Sequence, residues 1–130
     1  MVFGIRPAGC VPSQRTLAGG KSRACVEEYN ECSQLVNSKL SAEIDYLNNK
    51  LPQYIIVCVD IYNPFLDLIQ NPQNYGFEVA DKGCCGTGVI DVTFLCNKYT
   101  GTCPDHNKYV FWDNFLPTGS AYRILVHQIL

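Results

Sequence analysis

Cysteine is the residue type whose number and spacing most clearly permit chemistry in this chain, with eight copies in 130 residues. Cys10 and Cys25 flank one loop, while Cys84, Cys85, Cys96 and Cys103 form a CC-x10-C-x6-C series among Gly83, Gly86 and Gly88. Thiols spaced like this either oxidise to disulfides or ligate a soft metal. Adjacent Cys84 and Cys85 do not readily bridge each other, so each is expected to reach Cys96 or Cys103. A Cys10–Cys25 bridge would close the loop between a strand and a helix and stabilise by ~3 kcal/mol on the chain-entropy account. Zinc is the sharper alternative, with Cys103-Pro104-Asp105-His106 offering a Cys-x-x-His pair. Structural zinc sites usually carry two closely spaced ligand pairs, and no CxxC is present. Disulfides are therefore expected, with no metal and no cofactor. Cys32 on a helix and Cys58 in a strand read as buried apolar residues, not reactive thiols.

Other candidates carry weaker signals. His106 lies in a polar loop and His127 on the last helix, and both read as solvated or capping side chains. None of Ser13, Ser22, Ser33, Ser38, Ser41 and Ser120 sits in a GxSxG elbow. Ser120 reads as a polar residue of a first helical turn. The glycines around Cys84 do not complete GxGxxG, which excludes a dinucleotide fingerprint there. Asp60 stands at the carboxyl end of a strand, where α/β proteins often place functional groups. A turn-capping role explains it equally well.

These residues need elements to position them. Met1–Ile5 is a short apolar run that reads as a buried strand, followed by a loop to about Ser22. Val26, Tyr29, Val36, Leu40, Ile44, Leu47 and Leu51 recur at helical steps, and Glu27 and Glu28 complement the helix dipole in the first turn. Pro52 disfavours helix at the residue before it and ends the run. Tyr54–Asp60 is continuously apolar and β-branched, the pattern of a strand covered on both faces. Strand, helix and strand predict one right-handed βαβ crossover and a parallel α/β architecture. Pro64–Gln70 reads as a short helix, Gly83–Cys103 as a cysteine-bearing loop, and Lys108–Trp112 as extended. Thr118 is expected to cap a final helix, Ala121–Leu130, with Ile124, Leu125, Ile129 and Leu130 inward. Two parallel strands would leave open edges and uncovered faces, so a missing half of the domain is expected on physical grounds.

Composition narrows the functional classes. A net charge of -2 excludes a strongly basic surface, so nucleic acid and anionic membranes are not expected partners. Apolar runs such as Tyr54–Val59 fall far short of the ~20 residues of a membrane helix. No signal peptide is legible at Met1, yet the cysteine usage suits an oxidising compartment. The mismatch predicts a sequence that begins partway through a longer secreted protein.

The strongest block is Tyr109-Val110-Phe111-Trp112-Asp113-Asn114-Phe115-Leu116-Pro117-Thr118. It resembles the Phe/Trp-Asp-x-x-His-Pro-Thr block of plant GDSL esterase/lipases, members of the SGNH hydrolase superfamily. Gly9-Cys10-Val11-Pro12, Val57-Cys58-Val59-Asp60-Ile61-Tyr62, Gly76-Phe77, Cys84-Cys85-Gly86-Thr87-Gly88, Cys96 and Cys103-Pro104-Asp105 match further motifs of that family in order. The likeness spans nearly the whole chain and looks closest to the extracellular-lipase, anther-expressed branch. It implies a partial SGNH three-layer α/β/α fold, with residues 1–130 as the carboxyl-terminal fragment of one hydrolase domain. It also implies hydrolysis of small or lipid carboxylic esters and an extracellular location. In the family a Ser from a Gly-Asp-Ser-Leu block attacks the ester carbonyl, and a His takes its proton. An Asp three residues before the His orients the imidazole.

Carried onto this sequence, Asp113 matches the orienting carboxylate. Leu116 stands at the His position, and no Gly-Asp-Ser block or oxyanion residue is present. Gly119-Ser120 and Arg6 also depart from the family pattern. The resemblance therefore implies an inactive remnant. Its alternatives are part of an active esterase whose amino-terminal half is missing, and a cysteine-stabilised module that binds lipids or esters without turnover. A Gly-Asp-Ser-Leu block in frame upstream of Met1 would favour the missing-half alternative.

Overall fold

Two short strands, β1 (Val2–Phe3) and β2 (Cys58–Val59), run parallel, with Val2 opposite Cys58 and Phe3 opposite Val59. Between them lie α1 (Pro12–Ala18) and the long α2 (Glu27–Lys50), so the expected strand–helix–strand unit is present. The chain continues through α3 (Tyr62–Gln70), β3 (Val79–Gly83), β4 (Tyr109–Phe111) and α4 (Gly119–Ile129). Strands β3 and β4 form a second parallel pair, with an irregularity between Val79 and Gly83. The molecule is α/β. This computed structural model describes residues 1–86 and 96–129. Thr87, Gly88, the middle of the expected Gly83–Cys103 loop and Leu130 lie outside the described residues.

Helix α2 forms over the predicted span, and Leu51 closes it by donating its N–H to Leu47 O at 2.8 Å. Its docking face differs from the apolar stripe expected of it. Of that stripe only Ile44 is buried; Tyr29, Val36 and Leu51 are exposed. A polar stripe at helical spacing does the docking instead. Asn30 Oδ1 accepts from Gly9 N at 2.9 Å, and Ser33 Oγ from Ala8 N at 3.4 Å. The Asn37 amide accepts from Ile5 N at 2.6 Å and donates to Ile5 O at 2.7 Å. Asn48 does the same for Ile56, with both bonds at 2.8 Å. Each amide thus takes the place of a neighbouring strand at one backbone position, satisfying groups that would otherwise be costly to desolvate. Gly9 is obligatory at the junction, because a Cβ there would lie 2.0 Å from Val26 O.

The main core is built largely from other elements. Val11, Phe65, Leu68, Ile69, Phe77, Val110, Phe111, Ala121 and Leu125 form one buried cluster from α3, β4, α4 and their neighbours. Phe65 and Phe111 meet edge to face with ring centroids 5.6 Å apart. Tyr75 ties α3 to α4: its hydroxyl donates to the Asp67 carboxylate and accepts from Gln128 Nε2 at 3.0 Å. The Tyr75 bond first, and the Asn71 amide second, hold Asp67 below the usual carboxylate range. A depressed acid favours the tie at pH above that range and loses it as acid protonates the acceptor.

Several local expectations are corrected. The predicted loop before Ser22 contains α1, started by Pro12 at its first position, where a proline's missing N–H costs nothing. Helix α3 begins at Tyr62, two residues before Pro64, because Asp60 accepts from the Tyr62 and Asn63 amides. Strand β3 went unpredicted because Asp81 and Lys82 interrupt its apolar pattern. Phe3, Ile5, Tyr54, Ile55 and Val57 are exposed, not covered, since among the described residues β1 and β2 pair only with each other. Cys32 is exposed on α2, and Cys58 is half-buried.

Disulfides join Cys10 to Cys25, Cys84 to Cys103, and Cys85 to Cys96. Cys103, the sulfur of the zinc alternative, is thus bonded to Cys84. The Cys10–Cys25 bridge spans a sequence separation of 15. Replacing both residues, Cys10→Ser with Cys25→Ser, is expected to lower unfolding free energy by ~3 kcal/mol. Urea denaturation of both forms under non-reducing conditions measures it, and a loss below ~1 kcal/mol would contradict the loop-closure account.

Candidate functional site

Strand β4 delivers Asp113 to a tight turn at the molecular surface. Phe111 bridges antiparallel to Pro117, closing the turn at its base. Inside it, Trp112 N donates to Leu116 O at 2.8 Å. One carboxylate oxygen of Asp113 accepts from Phe115 N at 2.8 Å and from Leu116 N at 2.6 Å. The side chain therefore shapes its own turn, as short acidic residues do. Its second oxygen has no hydrogen-bond partner among the described residues and is open to a further donor. Leu116, three residues on, is 49% exposed. An aliphatic side chain there neither accepts a proton nor gains from burial.

The frame around the turn is hydrogen-bonded on both sides. Thr118 Oγ1 donates to Tyr109 O at 2.9 Å and accepts from Ala121 N at 3.2 Å, so the residue caps α4 while tying it to β4. Cys84 N donates to Phe111 O at 3.0 Å and Cys85 N to Trp112 O at 2.7 Å. The paired cysteines thereby fasten the disulfide-linked segment to the strand leading into Asp113. Gly83 permits this approach, since a Cβ there would sit 2.8 Å from the Asp113 carbonyl carbon.

The structure brings Asp113 and Cys96 to one shallow cavity of about 220 Å³, lined also by Asn114 and Phe115. It does not bring the other candidates there. Asp60 accepts from Tyr62 N at 2.8 Å and from Asn63 Nδ2 at 2.6 Å, a capping role, and lines a separate polar cleft with Asn37 and Tyr62. His106 and His127 are exposed and line none of the cavities described. Ser120 donates to Asn107 Oδ1 at 2.6 Å.

Sequence reasoning passed over Asn114 as a spacer. Its side chain is buried with neither amide atom hydrogen-bonded among the described residues, while its backbone carbonyl accepts from Ser13 N at 3.1 Å. Ser13 Oγ is likewise buried and unpartnered. A polar residue directly beside Asp113 was the available signal.

The family profile described as GDSL-like lipase/acylhydrolase matches residues 1–129. The chain is 54% identical over 130 residues to the GDSL esterase/lipase EXL3 of Arabidopsis thaliana, covering 99% of this chain and 36% of that relative. It is 53% identical over 125 residues to Arabidopsis EXL2, covering 95% of this chain and 33% of the relative. The chain thus spans about a third of the length of the curated relatives it matches.

Proposed function

Because this chain belongs to the GDSL-like lipase/acylhydrolase family, a family of ester hydrolases, we propose that it is a non-catalytic remnant of such an enzyme. In this reading residues 1–130 are the carboxyl-terminal part of a single hydrolase domain. Small or lipid carboxylic esters are its ancestral substrates, and its disulfides suit an extracellular destination. The carrying observation is Leu116 on a turn that Asp113 still organises.

Ester hydrolysis by this mechanism requires a base that removes the serine proton and returns it to the leaving alcohol. Asp113 is the residue suited to orient that base, and its unpartnered oxygen is the acceptor a ring N–H would use. Leu116 supplies no nitrogen. Loss of one such group commonly slows catalysis by about 10⁴- to 10⁶-fold.

Purified chain incubated with para-nitrophenyl butyrate is expected to release nitrophenol no faster than a boiled sample. Turnover that survives gel filtration with the folded peak would overturn the reading.

A further inference from the structure

Four side-chain atoms are buried without a hydrogen-bond partner among the described residues: Ser13 Oγ, Thr16 Oγ1, and Oδ1 and Nδ2 of Asn114. They are not scattered. Ser13 N donates to Asn114 O at 3.1 Å, so these two residues touch. Thr16 stands three residues after Ser13 on α1, a spacing that puts two side chains on one helix face with Cβ atoms about 5–6 Å apart. Ser13 and Asn114 are each 1% exposed, and neither side chain bonds the other directly. A buried hydroxyl or amide left unpaired lowers a folding constant by about 5- to 100-fold. Native interiors therefore rarely leave such groups orphaned, least of all several at one contact.

We propose that Ser13, Thr16 and Asn114 form an internal hydration site, in which an ordered water bridges the Ser13 hydroxyl and the Asn114 amide. The chemistry of the groups selects the ligand. Hydroxyls and amides both donate and accept, and none of the three carries a charge. A charged ligand buried there would need an opposite charge that these side chains do not provide. A buried water ordinarily makes about three hydrogen bonds to polar groups of this kind. Asn114 also lines the shallow cavity beside Asp113, which gives water a route in. The consequence is mechanical. Helix α1 meets the Asp113 turn through the backbone bond between Ser13 and Asn114, and the water adds a second link alongside it. The site does not depend on whether the chain is catalytically active.

Two measurements on the full chain test the site. A crystal structure that defines ordered solvent is expected to show a water about 2.7–3.2 Å from both Ser13 Oγ and the Asn114 amide. Urea denaturation of Ser13→Ala, Asn114→Leu and the double variant measures what the water holds. Each single substitution takes a partner from the bridge and strands the group opposite, so each is expected to lower the folding constant by about 5- to 100-fold. The double variant should lose clearly less than the product of the two, because both changes empty one site. Should Asn114→Leu fail to fold, Ser13→Ala alone decides, since it deletes a single oxygen. A dry contact in the crystal, or a direct bond between the Ser13 and Asn114 side chains, overturns the proposal. So does a Ser13→Ala chain as stable as the starting protein or more so, the result expected if the hydroxyl has no partner at all. Single effects that multiply in the double variant overturn it equally.

Discussion

Grafted in place of the matching segment of EXL3, this chain is expected to yield an esterase about 10⁴-fold or more below its parent, and Leu116→His to restore most of the loss. The expectation rests on the geometry of one turn. The Leu116 N–H is already held by Asp113 Oδ1 at 2.6 Å, and its carbonyl by Trp112 N at 2.8 Å. A histidine introduced there inherits a fixed backbone, an exposed side-chain position and an unpartnered carboxylate oxygen nearby. Initial rates with para-nitrophenyl esters, compared across parent, graft and Leu116→His graft, measure the effect. A graft as fast as its parent would show that no base is needed at this position. A folded Leu116→His graft with no recovery would show that Asp113 is only a turn former.

Phe111→Ala is expected to cost about 3–5 kcal/mol of unfolding free energy. The ring is fully buried, packs edge to face on Phe65, and sits in the strand leading into Asp113. Its truncation removes both the transfer free energy of an aromatic side chain and the contacts around the cavity left behind. A domain of ordinary stability holds only about 5–15 kcal/mol in total, so the variant should lie close to its unfolding transition at room temperature. Leu116→Ala, at an exposed position of the same turn, should stay within about 0.5 kcal/mol of the starting protein. Chemical denaturation of the two variants side by side measures the contrast. A Phe111→Ala loss below ~1 kcal/mol would mean that the cluster around α3 and α4 does not act as the core.

Much of the site was legible before any coordinates. The Trp112–Thr118 block, with Leu116 three residues after Asp113, is a matter of residue identity and order, which no fold can alter. Thr118 as a cap followed from its place just before a helical run, and the capping bond to Ala121 is local. The cysteines near one another in the chain paired within the groups their spacing suggested. Local periodicity also located α2, because Pro52 stops a long run of residues compatible with helix.

Tertiary structure decided which faces are buried. An apolar stripe on α2 predicted burial, but burial needs a partner surface. The surface offered, β1 and the turn after it, presents unpaired backbone groups that asparagine amides satisfy better than aliphatic side chains. For the same reason Tyr54, Ile55 and Val57, just before β2, are open to solvent despite their apolar character: composition records what a segment can bury, not which faces the fold covers. Strand β3 owes its existence to pairing with β4 across a long sequence separation, which no short window of residues encodes. Residue identity determined that an aliphatic side chain, Leu116, stands on the Asp113 turn. Local hydrogen bonds from Phe115 N and Leu116 N to Asp113 shape the turn, and only long-range contacts, from the paired cysteines and the core around Phe111, decide where it sits.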